Sequence, residues 1–520
     1  MKRFLTMALV GVMALGLAST AYANICAYDT VPASTLLFPF VIYDYENEEN
    51  GETTLFAITN VSSEAQIVHI TVWTDFSVAI LDFNLVLTGY DVQTMNVRDI
   101  LRDGILPHEG NGANIWESEN WGPGNSAPVP FDDGPYSTFN ELWDGDLDSY
   151  FNNNGLDAAG STDVLDCDPD DWESSPNHYE AAGNIPSGTL GLFETYLKRS
   201  QDADKWYEDC AGDEIDFDND PWFLTRADGP VWLYITADVV GACNKDLPDG
   251  DDHYYNQALG EGLIASNTLI GDMIYLNPGQ NFSEAQNAVH IEAFDGFSGA
   301  IYIPELSAVD SYYSTFYLRY RSTLDPATFQ DMREPLPTAW AFRYIVAPTA
   351  DAKTWIRAWK GGTITNRVMD LNDGSISSEN PDDLYANSCI PYTYYAWDED
   401  EGVNASEGGT PPPWSEAVPG AEPIPVPNLL PLETQQVDAE EFFLVGDPAA
   451  GAFGWMLFVW PRSNYDGTNP TDLDYYQTWM GVKYAMFGTY TAGLEGAVLG
   501  NFNCNPNEVL PQLNLGRYSE

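Results

Sequence analysis

Hydrophobic and polar residues alternate along several short segments of the chain, and this spacing predicts β-strands. In 231–239 the branched and small apolar side chains occupy every second position, from Val231 to Val239. A period of two places such side chains on one face of a strand, which is typical of a sheet that covers a core. Alternating or β-rich segments recur at 53–60, 66–73, 82–88, 91–97, 273–276, 289–293, 300–303, 314–321, 339–347, 354–360, 453–460 and 475–490. The pattern therefore predicts a mainly β fold.

The first four segments lie within about 45 residues of the chain, and a turn of hairpin length separates the first two. Such spacing predicts an antiparallel meander, which commonly opens a β-sandwich. Residues 97–106 are expected to add a helical turn that ends at Leu106-Pro107. This opening is similar to the immunoglobulin-like sandwiches of surface proteins. The resemblance, which covers only this short segment, implies antiparallel β-sandwich (immunoglobulin-like) domains.

A long segment without positive charge interrupts the predicted strands. Residues 103–197 contain no lysine or arginine and are rich in glycine, asparagine, proline and aspartate. Because a structureless loop of this length is unusual inside a compact domain, 107–229 is predicted to be an acidic, loop-rich insertion. The first β-sandwich domain is then split into 24–106 and 230–310.

The remainder of the chain, 311–520, is predicted to form a second, aromatic-rich β domain. Within it, the proline-rich segment 407–431 is expected to be extended and unpaired, as a strap over the surface. Residues 453–460 are apolar at successive positions, which predicts a central strand that is buried on both faces. One large double sandwich is the alternative to two domains.

Composition agrees with a folded chain and limits its partners. Hydrophobic residues make up 44% and aromatic residues 13% of the 520 positions, far more than a charge-driven disordered chain contains. The 79 acidic and 20 basic side chains give a formal net charge of −59. Nucleic acids and anionic membrane surfaces would repel such a chain, so neither is an expected partner.

The first 23 residues are typical of a secretory signal peptide. Two positive charges precede an apolar stretch at 4–17 and a small-x-small cleavage site at 21–23. Cleavage would leave a mature chain that begins at Asn24 and carries a net charge of −61. No later segment is an apolar stretch long enough for a transmembrane helix. The sequence therefore predicts export to the periplasm, the cell surface or the extracellular space.

Cysteine usage agrees with export. Six cysteines remain after cleavage, and an even number in an oxidising compartment predicts up to three disulfides, whose connectivity the sequence leaves open. No C-x-x-C pair occurs, so thioredoxin-type redox chemistry, haem attachment and a zinc ribbon have no support. The predicted disulfide-forming residues are Cys26, Cys167, Cys210, Cys243, Cys389 and Cys504.

Three acidic triplets of the form D-x-D-x-D predict Ca²⁺ sites in the insertion. Alternate carboxylates in a turning loop can reach one centre, and Ca²⁺ prefers oxygen ligands. The sixth position is Ser149, Asp171 or Pro221, where an EF-hand loop has glycine, so irregular sites are expected. Solvated loops that only confer solubility are the alternative. The predicted ligands are Asp144, Asp146, Asp148, Asp166, Asp168, Asp170, Glu214, Asp216, Asp218 and Asp220.

A row of large side chains alternates on the predicted strand 354–360. Trp355, Arg357 and Trp359 would share one face, which could stack on a glycan or contact a protein partner. Core or interface packing is the preferred interpretation, because exposed aromatic rows are costly without a partner. His69 and His290 also fall in predicted strands, where structural roles are expected.

Motifs for catalysis are missing from the sequence. It contains no H-E-x-x-H, no G-x-S-x-G, no phosphate-binding loop and no dinucleotide fingerprint. The preferred hypothesis is an exported, non-enzymatic structural or adhesion protein of the cell surface that is stabilised by Ca²⁺ and self-associates. A carbohydrate-binding or glycoside-cleaving protein is the alternative, because two suitably spaced carboxylates suffice for that reaction and acidic residues are abundant.

Overall fold

A computed structural model describes the parts of the chain that form most of the predicted strands. The described residues are 31–106 except 76 and 78, 185–198 except 186, 229–293 except 242–246, 249–251 and 256–261, 316–317, 331–346 except 332, 335 and 338, 352–361, 368–370, 375–377, 392–398, 403–406, 430–442 except 431, 453–460, 477–486 and 490–498. Within these residues the chain is mainly β, with several antiparallel sheets.

The described strands are short, with two to ten residues each. They are β1 (Thr35–Tyr43), β2 (Thr53–Asn60), β3 (Gln66–Thr74), β4 (Ala79–Leu87), β5 (Val92–Asn96), β6 (Val231–Val240), β7 (Leu269–Asn277), β8 (Phe282–Asn287), β9 (Val289–Ile291), β10 (Ala339–Ile345), β11 (Lys353–Gly361), β12 (Val368–Asp370), β13 (Ser375–Ser377), β14 (Thr393–Asp398), β15 (Val403–Ser406), β16 (Thr434–Asp438), β17 (Phe453–Val459), β18 (Gln477–Met486), β19 (Tyr490–Glu495) and β20 (Ala497–Val498). The α-helices are α1 (Val97–Asp103) and α2 (Ser187–Lys198), and 3-10 turns cover Asp252–Tyr255, Pro278–Gln280 and Ala439–Phe442. None of the described helices is long and apolar enough to span a membrane.

These strands form four sheets within the described residues. The seven-stranded sheet has the order β13-β12-β4-β3-β6-β1-β9, and the five-stranded sheet has the order β15-β14-β17-β10-β20. The two four-stranded sheets are β16-β11-β18-β19 and β5-β2-β7-β8. All neighbouring strands are antiparallel except β12 and β4, which make a parallel pair.

The predicted strands that lie in the described part of the chain are confirmed, but the predicted meander is wrong. β2 pairs with β5 and β7, whereas β3 pairs with β4 and β6, so the chain changes sheet between β2 and β3 and again between β4 and β5. The chain changes sheet at Asn60, whose side-chain amide donates to the carbonyl oxygens of Glu64 at 2.6 Å and Thr88 at 3.0 Å. A short polar connection can lead either to a paired neighbour or to a strand of another sheet, and the composition of the turn does not distinguish the two.

β1 is a strand that the alternation did not reveal. All nine of its residues are buried, and it lies between β6 and β9. Pro39 lacks a backbone N–H, and the register with β6 shifts between Phe38 and Val41. Such a bulge accommodates proline inside a sheet. Because both faces of β1 are buried, its sequence does not alternate between apolar and polar residues. Pro39 is also a residue that strands seldom contain.

Helix α1 ends earlier than predicted. Asn96 is its N-cap and accepts a hydrogen bond from the backbone N–H of Arg98 at 3.0 Å. Gly104 adopts a φ of 68°, and its N–H donates to the carbonyl oxygens of Asp99 and Ile100. Glycine takes this left-handed conformation without a steric penalty, so the helix ends there and not at Leu106-Pro107.

One face of the seven-stranded sheet packs against β2 and β7 of a four-stranded sheet. The ring centroids of Phe38 and Phe56 are 5.0 Å apart across this contact. Gly271 lets the Leu36 side chain of β1 approach the backbone of β7 closely, because a Cβ at this position would lie 2.8 Å from Leu36 Cδ1. The contact belongs to an extensive buried apolar core.

Strand β17 is central in its sheet, as predicted, but it is not buried throughout. Phe458 is fully buried and stacks on Phe342 with 5.5 Å between ring centroids. At the other end of the strand, Phe453 is 48% exposed and Trp455 is 41% exposed. The prediction of complete burial is wrong because the sequence does not show how far the covering segments extend along a strand.

Several predicted segments lie outside the described residues. These are the strand at 300–303, most of the strand at 314–321, most of the insertion 107–229 and nearly all of the strap 407–431. The described part of the insertion includes α2, where Phe193 and Leu197 are buried and Lys198 Nζ lies 2.7 Å from Glu46 Oε1. The division into domains stays a prediction.

Candidate functional site

A row of polar side chains crosses the seven-stranded sheet from β4 to β1. The register pairs Asn84 with His69, His69 with Asp238, and Asp238 with Thr35. Directly paired residues share a face of the sheet, and all four are buried. His69 Nδ1 lies 3.0 Å from Asn84 Oδ1, and the Thr35 hydroxyl donates to Asp238. We call these four residues the polar row.

Side chains from three later segments cover the polar row at Asp238. The hydroxyl groups of Tyr254 and Tyr317 donate to Asp238 Oδ2 at 2.6 and 2.5 Å. Arg333 donates through Nε to Thr35 Oγ1 at 3.0 Å and lies 4.0 Å from Asp238 Oδ1. Burial, and then the Asp238 carboxylate, raise the pKa of Tyr254 well above its usual value, which keeps this hydroxyl a donor. The network therefore fastens the covering segments to the sheet.

A second buried network joins the β3–β4 turn to the start of β16. The hydroxyl groups of Ser77 and Tyr234 both donate to the Glu433 carboxylate. The Glu433 N–H donates to the Asp75 carbonyl oxygen at 2.9 Å. Ser77 has a φ of 62°, which is uncommon outside glycine and here turns its hydroxyl group within reach of Glu433. These contacts position the hairpin tip against a strand of another sheet.

Lys360 lies next to this joint. Its backbone N–H donates to the Glu433 carbonyl oxygen at 2.9 Å, and its Nζ donates to the Leu430 carbonyl oxygen. Burial lowers the pKa of Lys360 to about 7. Water is a better solvent for an ammonium group than the protein interior, so burial favours the neutral amine.

A buried ion pair joins β11 to β8. Arg357 donates to Glu284 Oε1 at 2.6 Å and to Gln436 Oε1 at 3.1 Å. Its guanidinium carbon lies 4.2 Å from the centroid of the Tyr275 ring and 5.0 Å from that of Phe40. The cation is thus held between a carboxylate and two aromatic rings.

The five-stranded sheet carries the one group of exposed aromatic side chains that we assign as a candidate site. Phe453 and Trp455 stand two positions apart on β17, so both point to the same side of the sheet. The register places Arg343 of β10 directly opposite Trp455, and Ile345 opposite Phe453. Arg343 is exposed and Ile345 is half-buried. We call Arg343, Ile345, Phe453 and Trp455 the aromatic face.

Arg343 differs from the other described cations in its surroundings. Among the described residues, it makes neither an ion pair with a carboxylate nor a hydrogen bond through its side chain. The other described lysines and arginines each contact a carboxylate or a backbone carbonyl oxygen; they are Arg98, Arg102, Lys198, Arg333, Lys353, Arg357, Lys360 and Lys483. The aromatic face therefore presents an exposed positive charge beside exposed rings.

The predicted row on β11 is placed largely inside the protein. Arg357 is 1% exposed and Trp359 is fully buried, with ring centroids of Phe316 and Tyr234 at 5.7 and 5.9 Å from that of Trp359. Trp355 is half-buried, and Lys353 Nζ lies 5.7 Å from the centroid of its ring. Packing is what the structure shows for Arg357 and Trp359. Contact with a glycan or protein partner stays a prediction for the row.

The remaining predicted site residues lie mostly outside the described part of the chain. All ten predicted Ca²⁺ ligands and all six cysteines fall there. Among the described residues, no group of three or more histidine, cysteine or acidic side chains is arranged to hold a metal ion. His69 and His290 lie in strands as expected, and His290 Nε2 accepts a hydrogen bond from the Gly271 N–H at 3.1 Å.

Two features escaped the sequence analysis although each leaves a trace in the sequence. The polar row contains His69, Asp238 and Asn84, which alternate with apolar residues on their own strands and so mark a second, polar face. The aromatic face is marked by Phe453 and Trp455 at alternate positions of β17. The rest of the strand is also apolar, so these two residues do not stand out in the sequence.

The chain matches no protein-family model, and comparison with curated proteins and with solved structures gives no match either. The proposals that follow therefore rest on the chain's own residues.

Proposed function

We propose that the chain is an exported, non-enzymatic protein of the cell surface whose role is adhesion and self-association through the aromatic face. The observation that carries this proposal is the exposure of Phe453 and Trp455 beside Arg343 on one sheet. Tryptophan, phenylalanine and arginine are enriched where proteins contact partners, and exposed rings gain free energy when a partner covers them.

The position of the aromatic face supports a contact role. The opposite side of the same sheet is packed around Phe458, whose ring centroid lies 5.7 Å from that of Tyr394 and 5.2 Å from that of Phe442. A sheet with one packed side and one side bearing exposed aromatic residues is a firm platform, because the rings need little ordering when a partner binds.

We also propose how the chain is divided into domains. Two antiparallel β-sandwich domains of immunoglobulin-like type would carry the long acidic insertion. Support comes from the packing of the seven-stranded sheet on β2 and β7, which brings Phe38 against Phe56. Ca²⁺ bound to the acidic triplets and disulfides between the six cysteines would then stabilise the segments with few apolar residues.

The negative charge of the chain is the reason why we include Ca²⁺ in the proposed assembly. The chain carries a formal charge of −59, so two copies repel each other at short range. Divalent cations bound by the acidic segments would lower this charge and allow the aromatic faces to meet. Removal of Ca²⁺ is therefore expected to dissociate the assembly and loosen the insertion.

The test is light scattering by the mature protein, first in EDTA and then during titration with Ca²⁺. We expect growth of large particles as Ca²⁺ is added. A Phe453→Ser, Trp455→Ser double variant is expected to stay monomeric, while Leu494→Ser, which removes a side chain that is 59% exposed elsewhere, should assemble like the wild type. A compact monomer that ignores Ca²⁺ would contradict the proposal.

Carbohydrate binding is the second candidate function, and the pairing of Trp455 with Arg343 favours it. A ring beside a hydrogen-bond donor suits a sugar, which offers a flat apolar side and hydroxyl groups. Retention of the protein on immobilised polysaccharides, lost in Trp455→Ser, would favour this candidate. Glycoside cleavage would in addition release reducing ends from the same polysaccharides.

A further inference from the structure

We propose that Arg343 and Trp455 form a binding site for an acidic sugar, a uronate within an otherwise neutral glycan. The inference deepens the proposed adhesion function, on which it rests, by naming the ligand of the aromatic face. Its starting point is the exposed charge of Arg343, which has no acidic partner among the described residues of a chain with 79 acidic side chains.

The surroundings of Arg343 select an anionic group. A guanidinium group offers a rigid set of N–H donors that matches a carboxylate. The other described cations already have carboxylate or carbonyl partners, as with Lys353 and Asp438 at 3.1 Å. Arg343 is therefore the described cation that is available to a carboxylate from outside the chain.

The position of Trp455 beside Arg343 indicates that the carboxylate belongs to a ligand with a ring that can stack on the indole. Residues directly opposite in an antiparallel pair have Cβ atoms about 5 Å apart, so Arg343 and Trp455 are immediate neighbours on the sheet surface. A uronate carries its carboxylate directly on a carbon of a puckered sugar ring, one side of which is apolar. When that ring lies on the Trp455 indole, the carboxylate comes within reach of the Arg343 guanidinium group.

Phe453 extends the site to a second sugar. It lies two residues along β17 from Trp455, which corresponds to about 7 Å along the strand. A neutral sugar linked to the uronate can cover this ring, which is 48% exposed. The site is thus expected to prefer an oligosaccharide over a free uronate.

The charge of the whole chain limits how acidic the ligand can be. Fields from exposed charges reach about 8 Å at physiological ionic strength, so the acidic chain repels carboxylates that lie beyond the site. One carboxylate can be held by Arg343, but a polymer with a carboxylate on every sugar brings many that find no cation. The geometry points to a glycan with isolated acidic sugars.

The experiment is calorimetric titration of the full mature protein with a β-linked glucose tetrasaccharide that ends in one glucuronate. The matched probe is the same tetrasaccharide with its carboxyl group reduced to an alcohol. We expect the acidic probe to bind at least about ten times more tightly, because a charge-assisted hydrogen bond is stronger than a neutral one. Equal affinity for the two probes would overturn the proposal, and so would failure of both to bind.

Variants locate the effect. Arg343→Gln is expected to remove the preference for the acidic probe while it keeps the affinity for the reduced one. Lys353→Gln is the matched control, because Lys353 is also a cation beside a tryptophan but already has Asp438 as its partner. Trp455→Ser should weaken both probes. If Arg343→Gln still preferred the acidic probe over the reduced one, Arg343 would not be the residue that binds the carboxylate. Near-ultraviolet circular dichroism tests whether each variant is folded.

The outcome separates this inference from the proposed function. Ca²⁺-driven assembly without binding of the acidic probe would leave self-association standing and overturn the acidic-sugar site. If Arg343→Gln then also reduced assembly, the carboxylate held by Arg343 would come from a second copy of the chain. Tight binding of the acidic probe by a protein that stays monomeric in Ca²⁺ would support this site and contradict self-association.

Discussion

At the scale of single residues, the buried ion pair between Arg357 and Glu284 is the clearest link between two sheets. The 2.6 Å contact joins β11 to β8, and the side chains are 1% and 2% exposed. Two charges lose much hydration on burial, so such a pair contributes little net stability while both partners are present. Removal of one partner is different, because it leaves the other charged and unpaired in the interior.

We expect Arg357→Met to lower the free energy of unfolding by about 3–5 kcal/mol, because Glu284 is then buried without its cation. Arg357→Met combined with Glu284→Met should recover much of this loss. The control is Lys353→Met on the same strand, whose side chain is 45% exposed and pairs with Asp438. It should cost less than Arg357→Met, because Asp438 keeps the Glu440 N–H as a donor at 3.0 Å. Urea unfolding measures all three, and similar losses for Arg357→Met and Lys353→Met would refute the argument.

Glu334 predicts a pH dependence of stability. Burial, and then the charge of Glu292, raise the pKa of Glu334 to about 8 from its usual 4.5. Because the folded chain binds this proton more tightly than the unfolded chain, the contribution is complete below about pH 4.5 and is lost as the pH rises through 8. The glutamate therefore favours folding more at acidic pH than at alkaline pH.

In Glu334→Gln the neutral amide has no proton to release. We expect the melting temperature of this variant to fall less than that of the wild type between about pH 5 and pH 9, by a few degrees. Calorimetry at a series of pH values measures both proteins. The same slope in both would show that Glu334 does not titrate in this window.

At the scale of elements, close approach of sheets depends on one glycine in β7. A Cβ at Gly271 would lie 2.8 Å from Leu36 Cδ1, 3.0 Å from the Ala57 carbonyl oxygen and 3.2 Å from Phe38 Cζ. The Ala57 oxygen is backbone and cannot move without disturbing the pairing of β2 with β7. A side chain at this position is therefore expected to displace the Leu36 and Phe38 side chains of the seven-stranded sheet and to strain the pairing of β2 with β7.

We expect Gly271→Ala to lower the free energy of unfolding by about 1–3 kcal/mol, as overpacking of a core does. Gly191→Ala in helix α2 is the matched control, because a Cβ there meets no atom within 4 Å. Alanine favours a helix over glycine by about 1 kcal/mol, so this variant should be slightly more stable than the wild type. If both substitutions had the same sign, the packing argument at Gly271 would fail.

At the scale of the whole molecule, charge opposes compactness. With 79 acidic and 20 basic side chains, the folded chain holds many like charges close together. Three of the nine described cations are buried, and two of these lie beside buried carboxylates, Arg333 at Asp238 and Arg357 at Glu284. Self-repulsion of this kind destabilises a compact state and weakens as salt screens the charges.

We expect the melting temperature to rise by several degrees when NaCl is raised from about 10 mM to about 150 mM, because the screening length falls from about 30 Å to about 8 Å. Near pH 4.1, the sequence pI, the net charge is close to zero and the same salt step should have little effect. Differential scanning calorimetry in the two buffers gives the comparison. A melting temperature that salt leaves unchanged at pH 7 would show that self-repulsion is unimportant.

Several elements followed from the sequence. The predicted segment 53–60 is strand β2, and the predicted segment 231–239 is β6 but for one residue at its end. These segments were predictable because side-chain alternation is a local consequence of strand geometry. In β1 the same rule failed, since burial on both faces and Pro39 removed the alternation. The helix end at Gly104 was missed in favour of a nearby proline.

The sequence by itself determined that the chain is mainly β, strongly acidic and rich in aromatic residues. Only the tertiary structure decided that β2 pairs with β5 and β7, that Trp359 is buried and that Trp455 is exposed. Strand formation depends on neighbouring residues, whereas pairing and exposure depend on segments far away along the chain, as with Glu433 at Ser77. Trp359 and Trp455 both lie in predicted strands, but their surroundings are opposite because distant segments cover only Trp359 fully.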